Sequence, residues 1–355
     1  MIESELPGRK LRDTAPTRRR FALSLAGVVA LAILPARASE PPRALEPPVR
    51  IEVRARPITA FAPREPFRVR FGTLEFLGGL ELSSDNQYFG GISAIHIFAD
   101  GVRFLAVSDR GRWLRGRIDS VGDRPLRIED AEMAPLLGAD GQPLGARGWY
   151  DAESLALDGG TAYVGIERAN RIVRFDYGRH GLLARGHSIA VPRGMREWPR
   201  NQGVEALVFV PKGLPLAGAL IAISERALDE AGNIRGLLIG GPSPGSFSLV
   251  RKNDFDVTAA IITPAGDFLV LERRFTLFGG PAMRIRKIAL DSIKPGALLD
   301  GPVLIEADRS FAIDNMEALA AHRNAAGDIV LTIVSDDNFN PLQRTILLRF
   351  AIVSE

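Results

Sequence analysis

Gly203-Val204-Glu205-Ala206-Leu207-Val208, followed after a Pro- and Gly-containing gap by Leu220-Ile221-Ala222-Ile223-Ser224-Glu225-Arg226, is the stretch on which the reading of this chain turns. The first run is short and apolar with one acid near its start. The second is dense in β-branched and aliphatic residues and ends in an acid and an arginine. Runs of this length and content, cut by Gly, Pro and Asp, are strands rather than helices. The pattern recurs on both sides. Gly90-Gly91-Ile92-Ser93-Ala94-Ile95 leads to Phe104-Leu105-Ala106-Val107-Ser108-Asp109-Arg110, and Asp151-Ala152-Glu153-Ser154-Leu155-Ala156-Leu157 to Ala162-Tyr163-Val164-Gly165-Ile166-Glu167-Arg168. Further on, Asp256-Val257-Thr258-Ala259-Ala260-Ile261 leads to Phe268-Leu269-Val270-Leu271-Glu272-Arg273. Asn315-Met316-Glu317-Ala318-Leu319-Ala320 leads to Leu331-Thr332-Ile333-Val334-Ser335-Asp336-Asp337.

The anchor residues Ser93, Glu153, Glu205, Thr258 and Glu317 are 60, 52, 53 and 59 residues apart. Two more strand-like runs usually follow each pair, and four strands in one repeat of this length make a propeller blade. The expected fold is therefore all-β: a β-propeller of five blades, or six if a divergent unit is present. A β-sandwich is the alternative, but it does not account for the period. The last repeat lacks a fourth strand before the chain ends. Phe67-Arg68-Val69-Arg70-Phe71 to Gly79-Leu80-Glu81-Leu82 is a spare strand pair, so an N-terminal strand is expected to close the ring on the last blade.

The first residues read differently. Thr17-Arg18-Arg19-Arg20-Phe21-Ala22-Leu23 sets an arginine pair before an uncharged apolar stretch from Phe21 to Leu34, and Ala36-Arg37-Ala38 follows. That stretch is short of the roughly 20 residues a spanning helix needs. A charged start, a short apolar core and an A-x-A site form a signal peptide, here with twin-arginine character. Residues 1–38 are therefore expected to be a cleaved export signal, the alternative being a retained anchor. The mature chain is then expected in the periplasm or secreted, with no stable membrane span. Residues 39–66, rich in Pro, read as a linker or surface-hugging arm, and residues 67–355 as the propeller domain.

The formal charge is +3. Residues 1–38 hold seven Lys+Arg and three Asp+Glu, which leaves 45−7 = 38 basic and 42−3 = 39 acidic residues in the remainder. A domain of net charge −1 offers no global attraction for nucleic acid. The absence of cysteine excludes disulfides, thiol nucleophiles and Cys-ligated metal.

In a propeller the first strand of each blade lines the central channel, so Glu153, Glu205 and Glu317 converge there. Carboxylates in that arrangement repel unless paired or bound to a cation. Pairing is available from the Asp109-Arg110, Glu167-Arg168, Glu225-Arg226 and Glu272-Arg273 strand ends. A structural ring of ion pairs is one reading. A second is a site in which Arg110, Arg168, Arg226 and Arg273 bind a small anionic or phosphorylated molecule. A third is a hard cation such as Ca²⁺ on Glu153, Glu205, Glu317, Asp336 and Asp337. No organic cofactor is expected, and the chain is expected to be a monomer. Gly241-Pro242-Ser243-Pro244-Gly245 matches the G-x-S-x-G string but lacks the helix that motif requires, and reads as a turn. The four histidines share no repeat position.

Phe89-Gly90-Gly91-Ile92-Ser93, Leu105 to Trp113, the Glu153 and Glu205 units, Asp314-Asn315-Met316-Glu317-Ala318 and the tail Val334-Ser335-Asp336-Asp337-Asn338-Phe339-Asn340-Pro341-Leu342-Gln343-Arg344-Thr345 resemble the esterase-like phytase family, or phytase-like domain. The resemblance spans roughly residues 67–352. It implies a propeller, export, and a phosphoester or ester hydrolase activity. On that basis Ca²⁺ held by the acids would polarise a phosphoryl group and the four arginines would offset its charge. A non-enzymatic binding or scaffold propeller of the cell envelope is the competing class. Sugar-lactone hydrolysis on a calcium propeller is also compatible.

Overall fold

Each repeat forms an up-and-down sheet in which consecutive strands pair antiparallel, and each sheet presents two apolar faces to its neighbours. The computed structural model describes residues 46–353; residues 1–38, expected from sequence to be an export signal, lie outside them. Five such sheets stand around an axis as propeller blades. Blade 1 runs outward through Ile92–Ile97, Arg103–Ser108, Arg112–Val121 and Arg124–Pro135. Blade 2 comprises Ala152–Asp158, Thr161–Ile166, Arg171–Asp176 and Arg185–Ser188. Blade 3 comprises Val204–Phe209, Ala219–Leu228, Ile234–Gly240 and Gly245–Leu249. Blade 4 comprises Asp256–Ile262, Phe268–Thr276, Gly280–Ile288 and Val303–Asp308.

Blade 5 supplies three strands from the C-terminal repeat, Asn315–Arg323, Ile329–Asp336 and Thr345–Ile352. Its fourth strand is Leu74–Ser83, antiparallel to Thr345–Ile352, and a fifth, Arg54–Ile58, pairs outside that. The ring is thus closed by N-terminal chain. Within the proline-rich stretch, Val49–Arg50 also adds to the outer edge of blade 1, so this segment lies along two blades rather than hanging free. Of the spare pair, Leu74–Ser83 carries the closure; Arg70–Phe71 only folds back on it, and Phe67 is 95% exposed.

The core is five layers, one between each pair of blades. Leu271, Met283 and Ile285 of blade 4 meet Leu319, Leu331 and Ile333 of blade 5, for example. Trp113 packs between blades 1 and 2, and Trp198 between blades 2 and 3. Among the described residues no helix is long and apolar enough to cross a membrane.

His322, on the inner strand of blade 5, is sealed behind Gly101, where a Cβ would come within 2.6 Å of the imidazole. Gly101 also has φ +69°, a conformation that favours glycine. Burial, reinforced by the charge of Arg349 and only partly offset by Asp123 and Asp100, pushes the imidazole pKa down from 6.5 to about 4. The unfolded chain therefore takes up this proton first. The associated stability is complete above pH 6.5 and is lost as pH falls toward 4. His322→Gln is expected to flatten that acid limb. Melting temperature against pH, measured for both chains, tests this; parallel limbs would count against it.

Candidate functional site

Each of the five inner strands carries a β-bulge, and the bulged residue is the repeat anchor. The register shifts between Ile92 and Ala94, Ala152 and Ser154, Val204 and Ala206, Val257 and Ala259, and Met316 and Ala318. A bulge re-aims a side chain, here that of Ser93, Glu153, Glu205, Thr258 and Glu317. The Ser93 hydroxyl donates to Gly91 O at 3.2 Å and the Thr258 hydroxyl to Met316 O at 3.2 Å. Three glutamates are left to converge, 9%, 6% and 5% exposed for Glu153, Glu205 and Glu317.

A second tier comes from the ends of the second strands. Opposite the residue before each bulge pair stand Asp109, Glu167, Glu225, Arg273 and Asp336. Blade 4 departs from the order expected from sequence. Val257 pairs with Glu272 and Asp256 with Arg273, so Arg273 occupies the place an acid takes in the other blades. Glu272 points to the opposite face, fully buried between Arg284 (2.6 Å) and Arg286 (2.6 Å). The four arginines therefore do not form one ring. Arg273 reaches Glu225 at 3.1 Å, Glu317 at 3.4 Å and Asn315 Oδ1 at 2.9 Å. Arg110 instead lies over the Phe339 ring, Arg168 pairs with Asp151 at 2.8 Å, and Arg226 with Asp256 at 2.9 Å.

Of the proposed cation ligands, Asp336 is buried among the acids. Asp337 is not directed there: its Oδ1 accepts from Gly91 N at 2.9 Å and its Oδ2 from the Thr345 hydroxyl at 3.0 Å, which ties blade 5 to blade 1. Asp109, Glu167 and Glu225, which the sequence offers as partners for arginine, join the cluster as well. Their shared place at the second-strand ends was the available signal. Gly91 is required there, with φ +60° and a hypothetical Cβ 2.2 Å from Asp109 Oδ1.

Asp109, Glu153, Glu167, Glu205, Glu225, Glu317 and Asp336 thus form one electrostatically linked acidic cluster, with Arg273 against Glu225 and Glu317 and Arg226 4.0 Å from Glu225. Burial pushes Asp109 up to about 7 and Glu167 up to about 8. Burial and then the neighbouring carboxylates hold Glu153, Glu205 and Asp336 well above the usual carboxylate range. Burial raises Glu225 too, despite Arg273 and Arg226. For Arg273 burial disfavours the charge, but Glu317, Glu225, Glu205 and Asp336 outweigh it and strengthen its hold on the proton. Glu205 Oε2 is buried with no hydrogen-bond partner. The donor set is all oxygen, so the group it fits is a hard cation.

The sequence profile of the family described as "Phytase-like: Esterase-like activity of phytase" matches residues 87–339, more than half of the chain. The chain belongs to this family. Among curated proteins none matches significantly. The phytase-like chain is similar in structure to the PQQ-bound aldose sugar dehydrogenase of Streptomyces coelicolor, at 11% identity and TM-score 0.41, with 80% of this chain and 99% of that one covered. It is similar also to Myxococcus xanthus glutaminyl cyclase, at 12% identity and TM-score 0.37, covering 74% and 97%. The RRP9 WD40 repeats give 10% identity and TM-score 0.39, covering 80% and 100%. In this phytase-like propeller Gly241-Pro242-Ser243-Pro244-Gly245 joins two antiparallel strands of blade 3, with no nucleophile elbow.

Proposed function

We propose that this phytase-like propeller is an exported, metal-assisted hydrolase of phosphoesters or related esters. Glu153, Glu205, Glu317 and Asp336 would hold Ca²⁺ at the channel mouth. The observation that carries this is Glu205 Oε2, buried and without a partner amid six other carboxyl groups. A buried carboxylate oxygen without a partner costs several kcal/mol unless a proton or a metal cation meets it. When bound, Ca²⁺ supplies a Lewis acid for a phosphoryl or carbonyl oxygen and lowers the pKa of a coordinated water. The chain's own residues do the rest. Arg273 orients Glu225 and Glu317, while Arg168 and Arg226, part-exposed and paired to Asp151 and Asp256, and Arg110 over the Phe339 ring would add positive charge for an approaching anionic ester. Export rests on the Arg18-Arg19 signal sequence, which favours a periplasmic or secreted protein.

Turnover of a phosphomonoester and carboxyl-ester panel is expected to fall at least a hundredfold after metal stripping, to return with Ca²⁺, and to be lost in Glu205→Gln. The same glutamine is expected to leave the metal-free melting temperature close to that of the parent, since burial and its acidic neighbours already hold Glu205 toward its neutral form. Undiminished turnover after stripping and in Glu205→Gln would overturn the reading. The Arg273 bonds to Glu225, Glu317 and Asn315 favour a second reading, a scaffold whose mouth is partly closed by its own cation. A folded chain with no turnover and no Ca²⁺-dependent rise in melting temperature would be its signature.

A further inference from the structure

The acids of the mouth fall into two groups, not one. One carboxylate oxygen from each of Glu153, Glu205 and Glu317 lies within 4.8 Å of the others, and the same holds for Glu167, Glu205 and Glu225. The first group is made by bulge residues of blades 2, 3 and 5. The second combines the blade 3 bulge with the second-strand ends of blades 2 and 3, one tier nearer the strand ends. Glu205 alone belongs to both.

We infer that the mouth holds two cations, with Glu205 as the carboxylate common to a Glu153–Glu205–Glu317 centre and a Glu167–Glu205–Glu225 centre. This rests on the reading that the mouth takes a hard cation. Three observations carry it. Glu205 Oε2 is buried without a hydrogen-bond partner in a residue 6% exposed, so the shared side chain has an oxygen to give. Each group is pre-set by protein bonds that leave other oxygens available. In the first, Asn315 Nδ2 donates to Glu317 Oε1 at 2.6 Å, and in the second Gly203 N donates to Glu167 Oε1 at 2.9 Å. Arg273 touches one member of each, Glu317 at 3.4 Å and Glu225 at 3.1 Å, and so braces both.

Carboxylate-bridged pairs of cations in hydrolytic sites stand about 3.5–4 Å apart, a spacing one glutamate spans. Such sharing makes the two centres interdependent, since the bridging side chain is positioned for either ion by the other.

The test is calorimetric titration of the metal-stripped chain with Ca²⁺, with Tb³⁺ emission as a second readout. Two equivalents per chain are expected. Glu167→Gln should retain one, Glu153→Gln should retain one, and Glu205→Gln should weaken both at least tenfold. Circular dichroism checks that each variant is folded, and Glu225→Gln stands in for Glu167→Gln if that chain fails. One equivalent in the wild type, unaffected by Glu167→Gln or Glu225→Gln, overturns the second centre and leaves the proposed hydrolase intact. Binding at neither site overturns both. Two equivalents that persist in Glu205→Gln at unchanged affinity overturn the sharing.

Discussion

Removal of residues 1–83 is expected to abolish folding of the propeller. Leu74–Ser83 is hydrogen-bonded along its length to Thr345–Ile352, so its loss exposes a full strand edge in blade 5. The packing loss is larger still. Phe61, Phe71, Leu74, Phe76, Leu80 and Leu82 are each at most 7% exposed. Phe61 sits 5.0 Å from the rings of Phe71, Phe311 and Phe350, at the centre of an aromatic cluster linking blade 5 to the N-terminal chain. At ~1.5–3 kcal/mol per buried side chain, the six together are worth on the order of 10 kcal/mol. That equals the whole stability of a typical domain, about 5–15 kcal/mol. The truncated chain should be recovered as aggregate, without the cooperative melting of the intact protein. Transfer of residues 46–83 to the C-terminus through a flexible linker should restore folding, because the strand pairs with blade 5 whichever end delivers it. A soluble, cooperatively melting truncation would contradict the closure.

Glu272→Ala is expected to be the most damaging single substitution in blade 4, at about 3–5 kcal/mol, the cost of leaving buried charge uncompensated. Glu272 is fully buried, and Arg284 and Arg286, 2% and 1% exposed, each reach it with two nitrogens. Arg286 has a second acid in Asp300 at 2.9 Å, but Arg284 keeps only the Phe255 ring, 4.3 Å from its guanidinium carbon. A fall in melting temperature of roughly 10 °C follows. Replacement of all three by apolar residues of like volume should restore most of the loss, since the pair attraction and the desolvation costs vanish together. Denaturant melts of the single and triple variants decide this. A Glu272→Ala chain within about 1 kcal/mol of the parent would show that the triad is not the constraint it looks to be.

The period, the all-β character, the five blades and closure by N-terminal chain were legible in the sequence. These features follow from local pattern: apolar runs of strand length, turn residues between them, and a final repeat one strand short. The three converging glutamates were legible for the same reason, because Glu153, Glu205 and Glu317 keep one place in the repeat.

Side-chain direction was not legible. Glu272-Arg273 reads like Glu167-Arg168 and Glu225-Arg226, yet in blade 4 the pairing is displaced by one residue. Successive strand residues face opposite ways, so a shift of one sends Arg273 to the acid cluster and Glu272 into the core. Asp336 and Asp337 are neighbours in sequence, but only the tertiary contacts separate the acid in the cluster from the one that binds Gly91 and Thr345. The two overlapping groups around Glu205 likewise depend on bulges and on the spacing between blades, which bring together residues up to 164 positions apart, 317−153. Local pattern sets which strands form and in what order. Register and ring closure decide which charges meet, because a carboxylate's partner is set by distance in space.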